Sequence, residues 1–411
     1  MSRKLWAAIL IGFSSTFTVG GYEFARSATN TLFKTAFGTE NLAVGGAILP
    51  IALVAALFLY SKALTLLGTR KTLMGTFILT AFMFLGAHQL IAEGSVWTIG
   101  VIYIFRLIYV VVIIEQYWSF LNSILDSATA KKIYGPIAGI ASIGPIIAGH
   151  LVGQLAEPLG TNAMLLFAAG VLVPAAVLAD VAFRLGGEPK SSAEPVQESK
   201  SKGILADLSL NLFKGSPLLL GMLFLIITTQ IYSTALELNF QTILQEMIPE
   251  PDKQTAYSGI FFRNLNAASL GFQFVVAPIA MRYVRTSWIL YSIPLVHLVA
   301  VSLLFGNNTL PYAAGALMLF KALDYSIFRA SKETLYIPLS FEVRYRAKQV
   351  IDTFGYRVGE GISSLLVAIV HRTGMFFSGF YLVLGVVSVF AWVGSLIPTL
   401  RGYEKAVQET N

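Results

Sequence analysis

Residues 42–67, LAVGGAILPIALVAALFLYSKALTLL, hold a single charge, Lys62. A helix of about 20 apolar residues spans a bilayer, so this stretch predicts a membrane-crossing helix. Outward from it the same pattern recurs, at roughly 5–36, 72–92, 96–122, 133–155, 163–184, 217–245, 256–281, 288–305, 310–340, 348–370 and 376–399. The stretch at 5–36 runs on past Arg26 with no small-residue cleavage pattern, which predicts a retained helix rather than a signal peptide. Apolar residues make up 55% of the chain and charged ones 12%, with a mean hydropathy of +0.70, far more apolar surface than a water-facing fold hides.

The basic residues set an orientation. With the N-terminus in the cytoplasm, nineteen Lys and Arg fall in cytoplasmic segments and three, Lys34, Lys253 and Arg372, on the other side. That split predicts both termini inside and an even number of spans; the expected location is a bacterial inner membrane. It also explains the net charge of +7 without nucleic acid. The chain has no cysteine, and its four histidines are far apart in sequence. No nucleophile–base spacing or phosphate-cradling loop stands out, so neither an enzyme, a metal site nor a cofactor is expected.

Residues 186–202, GGEPKSSAEPVQESKSK, form the one polar stretch rich in Pro, Ser and Gly. Around it the halves echo each other. Glu115 through Ala130-Lys131-Lys132 matches Glu333 through Arg346-Ala347-Lys348, and Pro50 to Lys71 matches Pro278 to Arg285. The expected fold is an all-α membrane protein of twelve transmembrane helices in two pseudo-symmetric six-helix bundles, the major facilitator type. The bundles are placed at 1–185 and 216–411, joined by a cytoplasmic linker at 186–215. A monomer is expected.

Thirteen charges lie inside the predicted spans. They are Arg26, Arg106, Arg263, Lys321, Arg329, Lys332 and Arg357, with Glu23, Glu115, Glu237, Asp324, Glu333 and Glu360. Each costs about 2.5–3.5 kcal/mol at a helix centre, so they must pair or face water. Helical spacing puts Tyr22, Arg26, Asn30 and Phe33 on one stripe, and Gln230, Thr234, Glu237, Gln241 and Gln245 on another. Lys321, Tyr325, Phe328 and Lys332 make a third, and Tyr356 aligns with Glu360. Arg106 and Glu115 are half a turn out of phase, and Arg106 is the one expected on the substrate path. Lys321–Asp324 and Arg329–Glu333 have the spacing of private ion pairs, whereas Arg26 and Arg263 have no evident local partner. The glycines at 135, 139, 144, 149 and 153 predict close helix packing.

Three segments carry a family resemblance: Tyr22 to Asn30 (YEFARSATN), Tyr117 to Asn122 (YWSFLN) with Ala130 to Tyr134 (AKKIY), and Lys321 to Phe328 (KALDYSIF) with Lys332 to Pro338 (KETLYIP) and Ala347 to Asp352 (AKQVID). The chain resembles the ATP/ADP translocases of plastids and obligate intracellular bacteria. The resemblance implies a secondary transporter and a substrate site on the stripes above. It also shows departures: Thr29, Gln241 and Glu360 stand where the family carries lysines, and Arg329 where Asn is usual. Phosphate recognition needs concentrated cationic donors.

The reading is a secondary transporter working by alternating access on a nucleotide-like or other anionic metabolite. Arg26, Arg106, Arg263, Lys321, Lys332 and Arg357 would hold the anion, and Asn30 and Glu237 would orient it. Tyr22, Phe33 and Tyr325 would stack on a planar group, and Glu360 would weaken the hold on polyphosphates. A competing reading keeps the fold but carries a neutral or lipid-like solute, with Glu115, Glu237 or Glu360 moving a proton. A membrane sensor or scaffold is a third class, and it lacks any soluble domain to signal with.

Overall fold

The computed structural model describes residues 2–188, 213 and 216–410. Most of the expected linker, 189–212 with 214 and 215, lies outside them. The described residues form helices and turns, with no β-strand among them. In a bilayer this is one of two closed solutions, because every backbone N–H and C=O needs an internal partner.

The first seven helices are α1 (Arg3–Phe37), α2 (Leu42–Leu67), α3 (Thr69–Ala92), α4 (Val96–Ile124), α5 (Ser127–Leu159), α6 (Met164–Gly170) and α7 (Leu172–Gly186). The second half holds α8 (Pro217–Met247), α9 (Pro251–Gly271), α10 (Ala277–Tyr283), α11 (Thr286–Gly306) and α12 (Leu310–Leu323). It ends with α13 (Arg329–Thr334), α14 (Phe341–Lys348), α15 (Tyr356–Arg372) and α16 (Phe380–Thr410). Ten of the expected twelve spans are long apolar helices. The other two, near 310–336 and 341–372, are interrupted. A π-turn at residues 324–328 divides the first, and another at 349–355 divides the second. A further π-turn at 272–276 separates α9 from α10.

The chain falls into two compact units, Met1–Ser192 with Ile248–Ala267, and Ala193–Met247 with Ala268–Asn411. Most of α9 thus packs with the first unit. Each unit is built around its own first helix. In the first unit α1 packs against α5, α7 and α4, and in the second α8 packs against α16, α15 and α12. The small residues make this close approach feasible. A Cβ on Gly144 of α5 would sit 1.9 Å from the Thr16 carbonyl oxygen of α1, so the two backbones touch there. Gly149 also lies close to α9, where an added Cβ would come 2.7 Å from the Gly259 carbonyl. Of the five glycines expected to pack, Gly135 has open space around it instead.

Lys34, assigned from sequence to an outer loop, sits in the last turn of α1 and is 2% exposed. The helix continues to Phe37 and stops only at Gly38, whose φ of 83° ends the turn.

Candidate functional site

In the first unit α1 is buried along nearly its whole middle, and Tyr22 and Arg26 are among the few residues there that keep some exposure. One turn apart, they share a face, as the helical spacing requires. The Arg26 guanidinium lies 3.4 Å over the ring of Phe262 and 5.5 Å from that of Tyr22. It is not alone on its helix. It forms an ion pair with Glu23, one turn back, whose carboxylate is wholly buried and also accepts from Ser27 at 3.3 Å. The expectation of an unpartnered Arg26 is thus corrected. The i,i+3 spacing that makes the pair was present in the sequence.

Arg106, 3% exposed, donates to the Asn30 side-chain oxygen and lies 4.8 Å from the Tyr103 ring and 6.0 Å from that of Tyr22. Its Nε has no partner. Glu115, on the same unbroken helix α4, is exposed on the other side, as the phase difference predicts. Phe33 is 7% exposed and packed 4.3 Å from Tyr103 and 4.9 Å from Phe37. Its faces are used by the core, which corrects its expected role as a stacking surface. Arg263 turns to α5, where it reaches His150 Nδ1 at 3.2 Å, and to Asn264 at 2.9 and 3.0 Å. Neither partner is a carboxylate.

The second unit holds the other bases. Lys321 donates to Ser233 at 2.8 Å and pairs with Glu237 at 3.6 Å, both on α8. The private Lys321–Asp324 pair does not form. Glu333 likewise pairs with Lys348 at 2.5 Å rather than with Arg329. Lys332 is bound to Asp352, which also accepts from the Tyr336 hydroxyl at 3.3 Å. The expected stripe of Lys321, Tyr325, Phe328 and Lys332 is broken: Phe328 and Lys332 are buried while Tyr325 is 38% exposed. The cause is the π-turn at 324–328, whose i→i+5 bonds shift the phase of every residue after it. Arg357 pairs with Glu360 at 3.2 Å, one turn away. Arg329 is exposed and sits 5.7 Å from the Tyr325 ring, making no ion pair among the described residues.

On α8, Gln230, Thr234 and Glu237 share a half-buried face, whereas Gln241 turns inward and is 2% exposed. Thr29 is fully buried and donates to the Ala25 carbonyl of its own helix at 2.7 Å. Two of the three positions that lack a family lysine are therefore inside packed protein. Sequence reasoning also missed Phe262 and Asp352 as partners of site bases. No spacing within one helix points to either, since each reaches its base from another element.

The sequence profile of the TLC ATP/ADP transporter family matches residues 53–318 and 289–399. The chain belongs to that family. The Tyr117, Lys321 and Lys332 segments lie inside the match, and the Tyr22 to Asn30 segment precedes it. Curated relatives agree. The chain is 24% identical over 356 residues to ADP,ATP carrier protein 3 of Rickettsia felis, covering 75% of this chain and 71% of that protein. It is 24% identical over 314 residues to ADP,ATP carrier protein 1 of Chlamydia trachomatis, covering 66% of this chain and 58% of that one.

Among solved structures, a D-xylose–proton symporter superposes with a TM-score of 0.66 at 12% identity, covering 95% of this chain and 96% of its own. The nucleoside transporter NupG superposes with a TM-score of 0.61 at 13% identity, covering 98% and 100%. These likenesses establish the fold, a major facilitator arrangement of membrane helices. This family member is an integral membrane protein and a transporter.

Proposed function

We propose that this transporter works by alternating access and carries a nucleotide-like or other anionic metabolite with fewer charges than ATP. The observation that supports this is how its intramembrane bases are spent. Arg26, Lys321, Lys332 and Arg357 are each paired with a carboxylate, while Arg106, Arg263 and Arg329 make no ion pair among the described residues. A triphosphate brings about four negative charges into a low-dielectric path, where unmatched charge is costly. Three arginines outside ion pairs suit a monophosphate-sized charge better.

In the first unit Tyr22, Arg26, Asn30, Arg106 and Arg263 would meet the cargo. Tyr22 offers a partly accessible ring for a planar group. In the second unit Glu237, Lys321, Tyr325, Arg357 and Glu360 would do so. Lys332, 2% exposed and bound to Asp352, serves structure in the arrangement described. The positive-inside split supports cytoplasmic termini and a bacterial inner membrane. Relatives named as ADP,ATP carriers support nucleotides as the cargo class. The buried Thr29 and Gln241 argue against the polyphosphate form.

The test is uptake of labelled AMP, ADP and ATP by proteoliposomes holding the purified protein. Saturable AMP uptake with weak competition by ATP is expected. Rapid, saturable ATP-for-ADP exchange refutes the charge argument and makes the three arginines sufficient for polyphosphate.

A further inference from the structure

Asp324 opens the π-turn of residues 324–328 and is 5% exposed. It makes no hydrogen bond or ion pair with any described residue, and its Oδ1 is enclosed without a partner. The groups that face it are Lys321, Arg329 and Lys332 along its own strand of helix, and the Tyr356 hydroxyl, itself buried and unpartnered. The other elements packed on the turn are residues 272–276, α10 and α11, and they direct no charged group at it among the described residues.

Each base is engaged elsewhere. Lys321 reaches Ser233 and Glu237, Lys332 holds Asp352, and Arg329 lies beside Tyr325. An ionised carboxylate placed so lacks the donors that make burial tolerable, whereas a carboxylic acid gives up far less on leaving water.

We propose that Asp324 is a proton-binding site, and that its proton decides whether Lys321 stays on α8 beside Glu237 or turns back toward Asp324. The chemistry is one proton joining one carboxylate oxygen, with no other bond changed. With the proton on, Lys321 has one competitor fewer, and the cluster carries one more positive charge. An anion then binds better, so anion and proton move in the same direction. This consequence for transport rests on the anion-carrier reading above. The site itself does not. Lys321 and Asp324, one turn apart, face one another and are unpaired.

The decisive measurement is infrared titration of the full-length protein in nanodiscs, with carbon-13 at the aspartate carboxyl. At neutral pH the wild type should show the C=O band of a protonated acid. That band should be missing from D324N. A wild type without the band overturns the proposal, and this readout needs no variant to fold. A band that persists in D324N overturns it too, because it then belongs to another aspartate.

AMP uptake by proteoliposomes under an inward proton gradient reads the coupling. Wild-type uptake should rise several-fold, and D324N should not respond. A wild type that takes up AMP but ignores the gradient overturns the coupling. Absence of AMP uptake under every gradient counts against the anion-carrier reading alone, and the infrared band still decides the proton site.

Discussion

Replacing Arg26 by Ala tests the first unit at a base paired with a buried carboxylate, and the structure sets the size of the effect. Glu23 is wholly buried and its side chain is 1% exposed, so removing Arg26 leaves a carboxylate with only Ser27 as a donor, at 3.3 Å. Breaking a buried pair from one side costs about 3–5 kcal/mol, mostly the penalty of the stranded charge. Arg26 also loses its stacking on Phe262 at 3.4 Å, a further loss of about 1 kcal/mol. The double variant Glu23→Gln with Arg26→Gln strands no charge and should lose only about 1–2 kcal/mol. A double-mutant cycle of Glu23→Gln, Arg26→Gln and the two together, by SDS unfolding in mixed micelles, measures the difference, with an expected coupling of about 2–3 kcal/mol. Strict additivity would refute the pairing argument, as would Arg26→Ala unfolding at the wild-type SDS concentration. The functional role of Arg26 is then best read in the double variant, where lost AMP binding is not confounded by misfolding.

Further outcomes follow from single features. Gly144→Ala forces about 1.5 Å of separation between α1 and α5, because its Cβ would lie 1.9 Å from the Thr16 carbonyl. It should destabilise the protein by about 1–3 kcal/mol. Gly86→Ala, with nothing within 4 Å, should gain about 0.5–1 kcal/mol, and thermal melts of the pair in detergent compare them. Glu360→Gln releases Arg357 from a pair in which both side chains are about a third exposed, 35% and 34%. Its worth is therefore about 0.2–1 kcal/mol, and AMP affinity by thermal shift should rise about 1.5- to 5-fold; a fall would reverse the sign assigned to Glu360. Reporter fusions after Lys405 should show the C-terminus in the cytoplasm, and a periplasmic signal would overturn the charge-split orientation.

Much of this protein could be read from residue order. The apolar stretch at 42–67 and its repeats specify membrane helices because insertion energy adds up residue by residue over about 20 positions. Helical phase likewise put Tyr22 and Arg26 on one face and set Arg106 against Glu115. Both hold because α1 and α4 run unbroken across those residues. The motifs around Tyr117, Lys321 and Lys332 identified the family, since they fall within the matched profile.

What tertiary structure decided was the partner of each buried charge. Lys321 could pair with Asp324 by spacing, yet it pairs with Glu237, and Lys332 finds Asp352 from beyond the next turn. The π-turns at 324–328 and 349–355 also rotate the residues after them out of the phase an ideal helix predicts. Composition does not encode such a turn. The turn at 324–328 packs against residues 272–276, α10 and α11. The same packing buries Thr29 and Gln241, where the chemistry of the residue alone says nothing about access. Span and face are local sums along one chain segment, whereas pairing is a choice among segments and is made only when they meet.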